Sequence, residues 1–316
     1  MPARTDPIPG DDLSKSVMKA EAVLDRFERL AVWSRGDQRA PHKPLLVLYA
    51  LGRWSRGDRA DLPFAQVDRD LTELLKEFGP SRKSYHAEYP FWRLQNDGVW
   101  VVGSNAPLPA RKGSTDPPKS ALLSNAATGR FTDDVQAALR SSPVLLGKIA
   151  GLLLERHFPE SIHPDILEAV GLCLETDKLK TKNRDPQFRQ RVLTAYEYRC
   201  AVCGFDVRLG SLSIALDAAH IRWVQADGPD LETNGLALCV LHHKLFDLGA
   251  FTLGDDGKLL VSDQVHGNAG FNESLMRHHH AAVRRPQHPA WNPLPEFLAW
   301  HTREVFKGAA RYEPVR

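Results

Sequence analysis

Cysteine is scarce: four in 316 residues, which excludes the disulfide framework of small secreted domains. Long apolar runs are missing too. The longest, Pro44 to Leu51 and Val144 to Leu154, fall short of the ~20 residues a membrane helix needs, so no membrane contact is expected. Met1 to Gly10 holds three prolines and no apolar h-region, which makes the cytoplasm the expected compartment. Charge of one sign is lacking as well: the formal net charge is +2, so bulk attraction of a polycation to nucleic acid is excluded and any basic surface must be local. There is no internal repeat and no low-complexity tract. What is present is an ordinary globular composition, 42% hydrophobic and 25% charged, in a chain long enough for two domains.

Hydrophobic periodicity predicts a first amphipathic helix over Leu13 to Trp33, a second over Pro44 to Trp54 and a third over Phe64 to Phe78, the last stopping at Gly79-Pro80. Asn96-Asp97-Gly98 between Phe91–Leu94 and Val99–Val102 reads as a tight hairpin, because Asn and Gly accept positive φ. Helices followed by such a two-stranded wing form a winged-helix-like layout. Pro107 to Pro118 reads as an exposed loop. Thr132–Leu139, Val144–Arg156 and Pro164–Leu174 read as short packed helices, with Cys173 as a buried, inert thiol. Asp177 to Arg191 carries six basic residues (Lys178, Lys180, Lys182, Arg184, Arg189 and Arg191) against Asp177 and Asp185. It reads either as a solvated linker or as a phosphate-tracking arm. A helix over Gln187–Tyr196 then runs into a cysteine pair.

Cys200-Ala-Val-Cys203-Gly204 has the spacing of a metal knuckle: two thiolates can face one tetrahedral ion while glycine permits the turn. Cys239-Val-Leu-His242 follows 36 residues after Cys203. Together the four residues make a Cys3His set for structural Zn2+. Between and beside the pairs lie His220 in Asp217-Ala-Ala-His220-Ile221, Asn234 in Thr233-Asn234-Gly235, and His243 directly after His242.

This order resembles the HNH endonucleases over roughly Asp185 to Gly267, and the resemblance implies a zinc-stabilised ββα-metal unit. It makes His220 the general base, since imidazole ordinarily titrates near neutrality. His243 would hold a catalytic divalent ion, Mg2+ or Mn2+. Asn234 would fix the loop and orient His220. Many members carry a metal ligand just before the base, where this chain has Ala219. Asp247, four residues after His243 on one helical face, is therefore expected to complete the ion's shell, ahead of Asp217, which would need a bulge in its strand or a bridging water.

The first half has no catalytic motif, so recognition falls to it. Tyr85-His86-Ala87-Glu88-Tyr89-Pro90-Phe91-Trp92-Arg93-Leu94-Gln95-Asn96-Asp97-Gly98-Val99-Trp100 is its most unusual segment. With Ala40-Pro41-His42-Lys43-Pro44-Leu45-Leu46 upstream, it resembles the sulfur-binding domain of phosphorothioate-dependent (type IV, McrA-like) restriction endonucleases, over about residues 11 to 175. Sulfur in place of a phosphate oxygen is larger, more polarisable and less hydrated, so an apolar cup formed by Tyr89 and Pro90 would discriminate in its favour. His42, Lys43, Arg82, Lys83, Arg111 and Lys112 are the expected cations for the DNA backbone. Tyr85, Phe91, Trp92, Leu94 and Trp100 are expected mostly in the core beneath. The tail past Gly267 is expected to pack back on the nuclease, with His278-His279-His280 as a solvated run.

The expectation is thus an α+β protein. Residues 11–176 form a mostly helical, winged-helix-like sulfur-binding domain, and residues 177–316 an HNH domain with basic linker and C-terminal extension. It would act on double-stranded, phosphorothioate-modified DNA as a modification-dependent restriction endonuclease, and as a homodimer on DNA. Two alternatives stay open: an HNH endonuclease for methylated or unmodified DNA, and a non-catalytic, zinc-stabilised DNA-binding protein.

Overall fold

The structure, a computed structural model, describes residues 20–312 apart from 34, 59–60, 112, 114 and 175–184. The acidic-flanked basic stretch up to Arg184, the loop cation Lys112 and the first turns of the expected leading helix lie outside the described residues. Architecture is mixed: among the described residues many helices accompany four small sheets. Among the described residues no single helix is long and apolar enough to cross a membrane.

In the N-terminal half α1 (residues 20–28) precedes α2 (His42–Ser55), which starts two residues earlier than Pro44 suggests, and α3 (Phe64–Phe78). Leu45 to Leu51 is almost wholly buried in α2, so this helix is the centre of the core rather than an amphipathic wall. It crosses α8 (His163–Val170) closely: a Cβ on Gly52 would stand 1.9 Å from the Val170 carbonyl oxygen, so only glycine fits. The packed helices α6 (Asp133–Ser141) and α7 (Pro143–His157) close the far side.

The expected hairpin does not form. Glu88–Arg93 is helix α4, followed by a 3-10 turn, Leu94–Asp97. Gly98, at φ +68°, ends that turn; a left-handed glycine terminates a helix as readily as it builds a hairpin. β2 (Trp100–Gly103) pairs instead with β3 (Thr128–Phe131), and β1 (Leu62–Pro63) with the other edge of β3. The wing is therefore a three-stranded sheet assembled from distant segments, after α5 (Lys119–Ser124). Phe91, Leu94 and Trp100 are core, and Tyr85 and Trp92 pack partly against it. Cys173 is exposed, not buried, because α8 ends at Gly171 and the thiol falls beyond the helical face.

The second half starts with α9 (Pro186–Ala195), capped by the Asp185 carboxylate on the Gln187 N–H. A short ribbon, β4 (Arg208–Leu209) with β5 (Leu212–Ser213), precedes the ββα unit. There β6 (Leu216–His220) runs antiparallel to β7 (Gly235–Cys239) in unbroken register, His220 opposite Gly235, and α10 (Val240–Asp247) follows directly. β8 (Phe251–Leu253) and β9 (Leu259–Val261) form a second ribbon before α11 (Ala269–Ser274).

The C-terminal extension does not pack on the nuclease alone. α12 (Pro295–Glu304) places Phe297 and Leu298 in the nuclease core but Trp300 and, just past its end, Val305 in the N-terminal core. Trp300 meets Trp223 edge to face at 5.9 Å and donates to the Asp37 carbonyl. Arg39 stacks on Trp223, 3.8 Å from the ring, and donates to the carbonyls of Glu304 and Phe78. Nor are the three histidines all solvated: His279 is buried, its Nδ1 accepting from the Val261 N–H.

Candidate functional site

The knuckle docks on the ββα unit through the Ala201 N–H and the Ala237 carbonyl, while Gly204, at φ +75°, closes its turn. Ligand atoms of Cys200, Cys203, Cys239 and His242 all lie within 4.8 Å of one another. A tetrahedral ion with bonds of ~2.3 Å sets its sulfurs ~3.8 Å apart, and the Cys203 and Cys239 sulfurs are 3.9 Å apart. His242 Nε2 donates to the Ser274 carbonyl at 2.8 Å, which leaves Nδ1, 3.1 Å from the Cys239 sulfur, unprotonated for the metal. A hydrogen bond from Cys239, joined by His242 and opposed by burial, holds the Cys200 thiol down to about 3. The donor set fits a metal such as zinc.

Beside this staple, at the open side of β6 and α10, lies a cleft of about 380 Å³ whose lining includes Ser161, Asp217, His220, Trp223, His243 and Asp247. His220 ends β6. Its ring stacks on Phe188 of α9 at 4.0 Å and 15°, and its Nε2 faces Asp230 Oδ1 at 2.7 Å. Asp230 therefore fixes the tautomer, with the proton on Nε2 and the lone pair on Nδ1. Sequence reasoning missed both partners: an aspartate in a Gly-Pro-Asp loop looks like any solvated turn residue, and Phe188 like core.

Asn234, fully buried, accepts from the Arg222 N–H at 2.8 Å and donates to the carbonyls of Arg222 and Pro229. It thus ties both ends of the loop that carries Asp230, and reaches His220 through that loop rather than at the ring itself.

His243 stands between two carboxylates. Its Nδ1 is 3.8 Å from Asp217 Oδ2, and its Nε2 is 3.2 Å from Asp247 Oδ2. Asp247 is 3% exposed, and the same oxygen takes the Ser161 hydroxyl. Asp217 is open to solvent, with Oδ1 held by Arg189. It lines the cleft although β6 and β7 pair in unbroken register, so no bulge brings it there.

In the N-terminal half Tyr89 is half-buried, and Pro90, on the inner side of α4, is buried. The Tyr89 hydroxyl accepts from Arg111 at 2.8 Å. The Arg111 and Arg93 guanidiniums stand 5.0 Å and 4.9 Å from its ring centroid, and the His86 ring packs at 5.1 Å.

The other expected cations fare differently. Lys43 is spent on Asp97 at 2.5 Å, with side chains 12% and 4% exposed. Arg82 is bound to the buried Glu304 at 2.9 Å. His42 is held down to about 4 by burial, then by Arg82 and His86, so it carries no charge near neutral pH. Lys43 and Arg82 are thus already ion-paired within the chain and His42 is neutral, through partners that the sequence does not display. Lys83 remains exposed.

Residues 20–175 match the family model of the ScoMcrA-like DNA sulfur-binding domain, and residues 200–254 that of the HNH endonucleases. No curated protein matches the chain. Among solved structures, the sulfur-binding domain of ScoMcrA complexed with phosphorothioated DNA is 23% identical, with a TM-score of 0.42, over 47% of this chain and 94% of that one. The type IV phosphorothioation-dependent restriction endonuclease ScoMcrA is 22% identical, with a TM-score of 0.42, over 49% of this chain and 32% of that one, so the chain spans about a third of that enzyme. The modification-dependent TagI restriction endonuclease is 26% identical, with a TM-score of 0.29, over 42% and 41%. The chain thus joins a segment that matches the ScoMcrA-like DNA sulfur-binding domain to one that matches the HNH endonucleases.

Proposed function

We propose that the chain holds double-stranded DNA at a phosphorothioate through the surface around Tyr89 and hydrolyses a nearby phosphodiester bond in the His220 cleft. One observation carries the reading: a single chain pairs a sulfur-binding domain with a cleft in which His220 is engaged by a carboxylate and His243 by two.

His220 is the general base. Asp230 holds its Nε2, so Nδ1 takes the proton of the attacking water, and the carboxylate stabilises the imidazolium that results. Asp217 and His243 Nδ1 would hold Mg2+ or Mn2+, an oxygen and nitrogen set suited to such ions. A bound divalent ion supplies Lewis-acid stabilisation of the charge that develops on the phosphate oxygens. Asp247 stands behind His243, orienting the ring through Nε2, which replaces the expected role of Asp247 as ligand. A cut through both strands by one cleft per chain calls for two copies on the DNA.

The experiment compares two duplexes of one sequence, with and without an Rp phosphorothioate on each strand. Binding and Mn2+-dependent cleavage of the sulfur duplex alone is the expected result, lost to cleavage but not to binding in His220→Ala. Equal behaviour on the two duplexes would refute the sulfur assignment, and cleavage by His220→Ala the catalytic one.

A further inference from the structure

Tyr89 and Arg93 are four residues apart on α4, so both project from one helical face. The Arg93 and Arg111 guanidiniums lie over the Tyr89 ring, 4.9 Å and 5.0 Å from its centroid. Each is tethered by a buried carboxylate. Asp116, 4% exposed, takes both Nε and Nη2 of Arg93, at 2.8 Å and 2.6 Å. Glu88, equally buried, takes Nη2 of Arg111 at 3.1 Å. Asp116 also accepts the Arg111 backbone N–H through its own carbonyl at 2.9 Å, so one residue sets both arginines.

We infer that Arg93 is a specificity-determining residue of the sulfur site, forming with Arg111 a two-guanidinium cage around Tyr89, and that Asp116 is its positioning residue. This rests on the reading of the N-terminal domain given above.

The chemistry follows from how a guanidinium presents itself. Its flat face is weakly hydrated and polarisable, whereas its N–H edge is a strong donor. Arg93 has Nε and Nη2 engaged by Asp116 and is 45% exposed, so Nη1 is the edge left for a ligand. A phosphorothioate has two unlike non-bridging atoms. Sulfur, large and weakly hydrated, rests against the Tyr89 ring and the guanidinium faces, while the remaining oxygen takes an N–H edge. A plain phosphate set in the same place strands one hydrated oxygen against apolar faces, which penalises it. Without Asp116 the Arg93 side chain is free to swing into solvent, where it attracts either anion equally.

The test uses the full chain with Mg2+ and Mn2+ left out, so that binding is read without cleavage. Dissociation constants are measured for an Rp phosphorothioate duplex and its all-oxygen twin, as fluorescence anisotropy across a salt series. Arg93→Ala is expected to reduce the sulfur-over-oxygen preference roughly tenfold. Arg93→Lys should fail to restore it, since lysine brings a point charge without a planar face. Asp116→Asn should lose part of it, with thermal unfolding confirming that the variant folds; Arg93→Ala, at an exposed position, carries the test if it does not.

Preference within twofold of the wild type in Arg93→Ala overturns the inference. So does an equal loss on both duplexes with the salt slope reduced by about one, the mark of an ordinary backbone contact, and so does full preference in Arg93→Lys. A wild type that itself shows no preference overturns the underlying reading, a failure distinct from the first three.

Discussion

Asp230→Asn isolates the pairing that the cleft geometry makes central. Asparagine is nearly isosteric, so the loop held by Asn234 should keep its shape, and only the charge opposite His220 Nε2, 2.7 Å away, is removed. Ground-state DNA binding is unaffected by this change. In the transition state His220 is becoming an imidazolium, and it then loses a charge-assisted hydrogen bond worth about 1.5 to 3 kcal/mol. Asp230 is 28% exposed, so solvent screening places the loss in the lower half of that range, a fall of about 12- to 45-fold in the chemical step. Single-turnover cleavage of a phosphorothioate duplex, with enzyme in excess and Mn2+ present, reads that step directly. A second arm measures the dissociation constant of the same duplex without metal, which should stay within twofold of the wild type. A cleavage rate within twofold of the wild type, or a loss of binding that accounts for the slower rate, would refute the assignment of Asp230 to proton transfer.

Three further outcomes are expected. His301 is wholly buried, bonded to the Phe246 carbonyl and to Thr252, and burial pushes it down from 6.5 to about 4; because its folded form resists protonation, it withdraws about 3 kcal/mol of stability as pH falls from 6.5 to 4. Urea denaturation at pH 7 and pH 4.5 should show that fall shrink in His301→Gln, and an unchanged fall would exclude His301 as its source. Removing the metal by chelation, or weakening its site by Cys203→Ser, should abolish cleavage and lower the melting temperature of the nuclease half, since so small a unit buries too little to fold unaided; calorimetry showing no change would count against a structural metal. Arg39→Leu removes the hydrogen bond to the Glu304 carbonyl and the stack on Trp223 between the halves, and a bond to the Phe78 carbonyl within the first, and should cost about 3 kcal/mol in chemical unfolding, with a near-neutral result refuting a lock at this contact.

The α4 region shows why some of this was legible in advance and some was not. Aromatic residues, a proline and an Asn-Asp-Gly run carry a strong strand-and-turn signal, yet the same glycine ends a helix. Read as a strand over Phe91–Leu94, the segment leaves Tyr89 outside the element that carries Arg93. Read as the helix that forms, it sets the two one turn apart, so the wrong period hid the cage. The expected cations show a second limit. Lys43 and Arg82 pair with Asp97 and Glu304 from far along the chain, while burial, then Arg82 and His86, keeps His42 neutral.

What the sequence by itself determined is whatever chemistry demands at short range. Two Cys/His pairs at metal spacing, His220 before Asn234 before His243, and the long apolar helix around Leu45–Leu51 are local facts, because ligand geometry and helical period leave few other arrangements. What only the tertiary structure decided is which groups face one another across the chain. Asp230 meets His220, Asp217 and Asp247 flank the two nitrogens of His243, Asp116 braces Arg93, and α12 joins both cores through Trp300. Such pairings are set by the packing of whole elements, and burial then fixes which charges are spent inside the molecule and which remain for DNA.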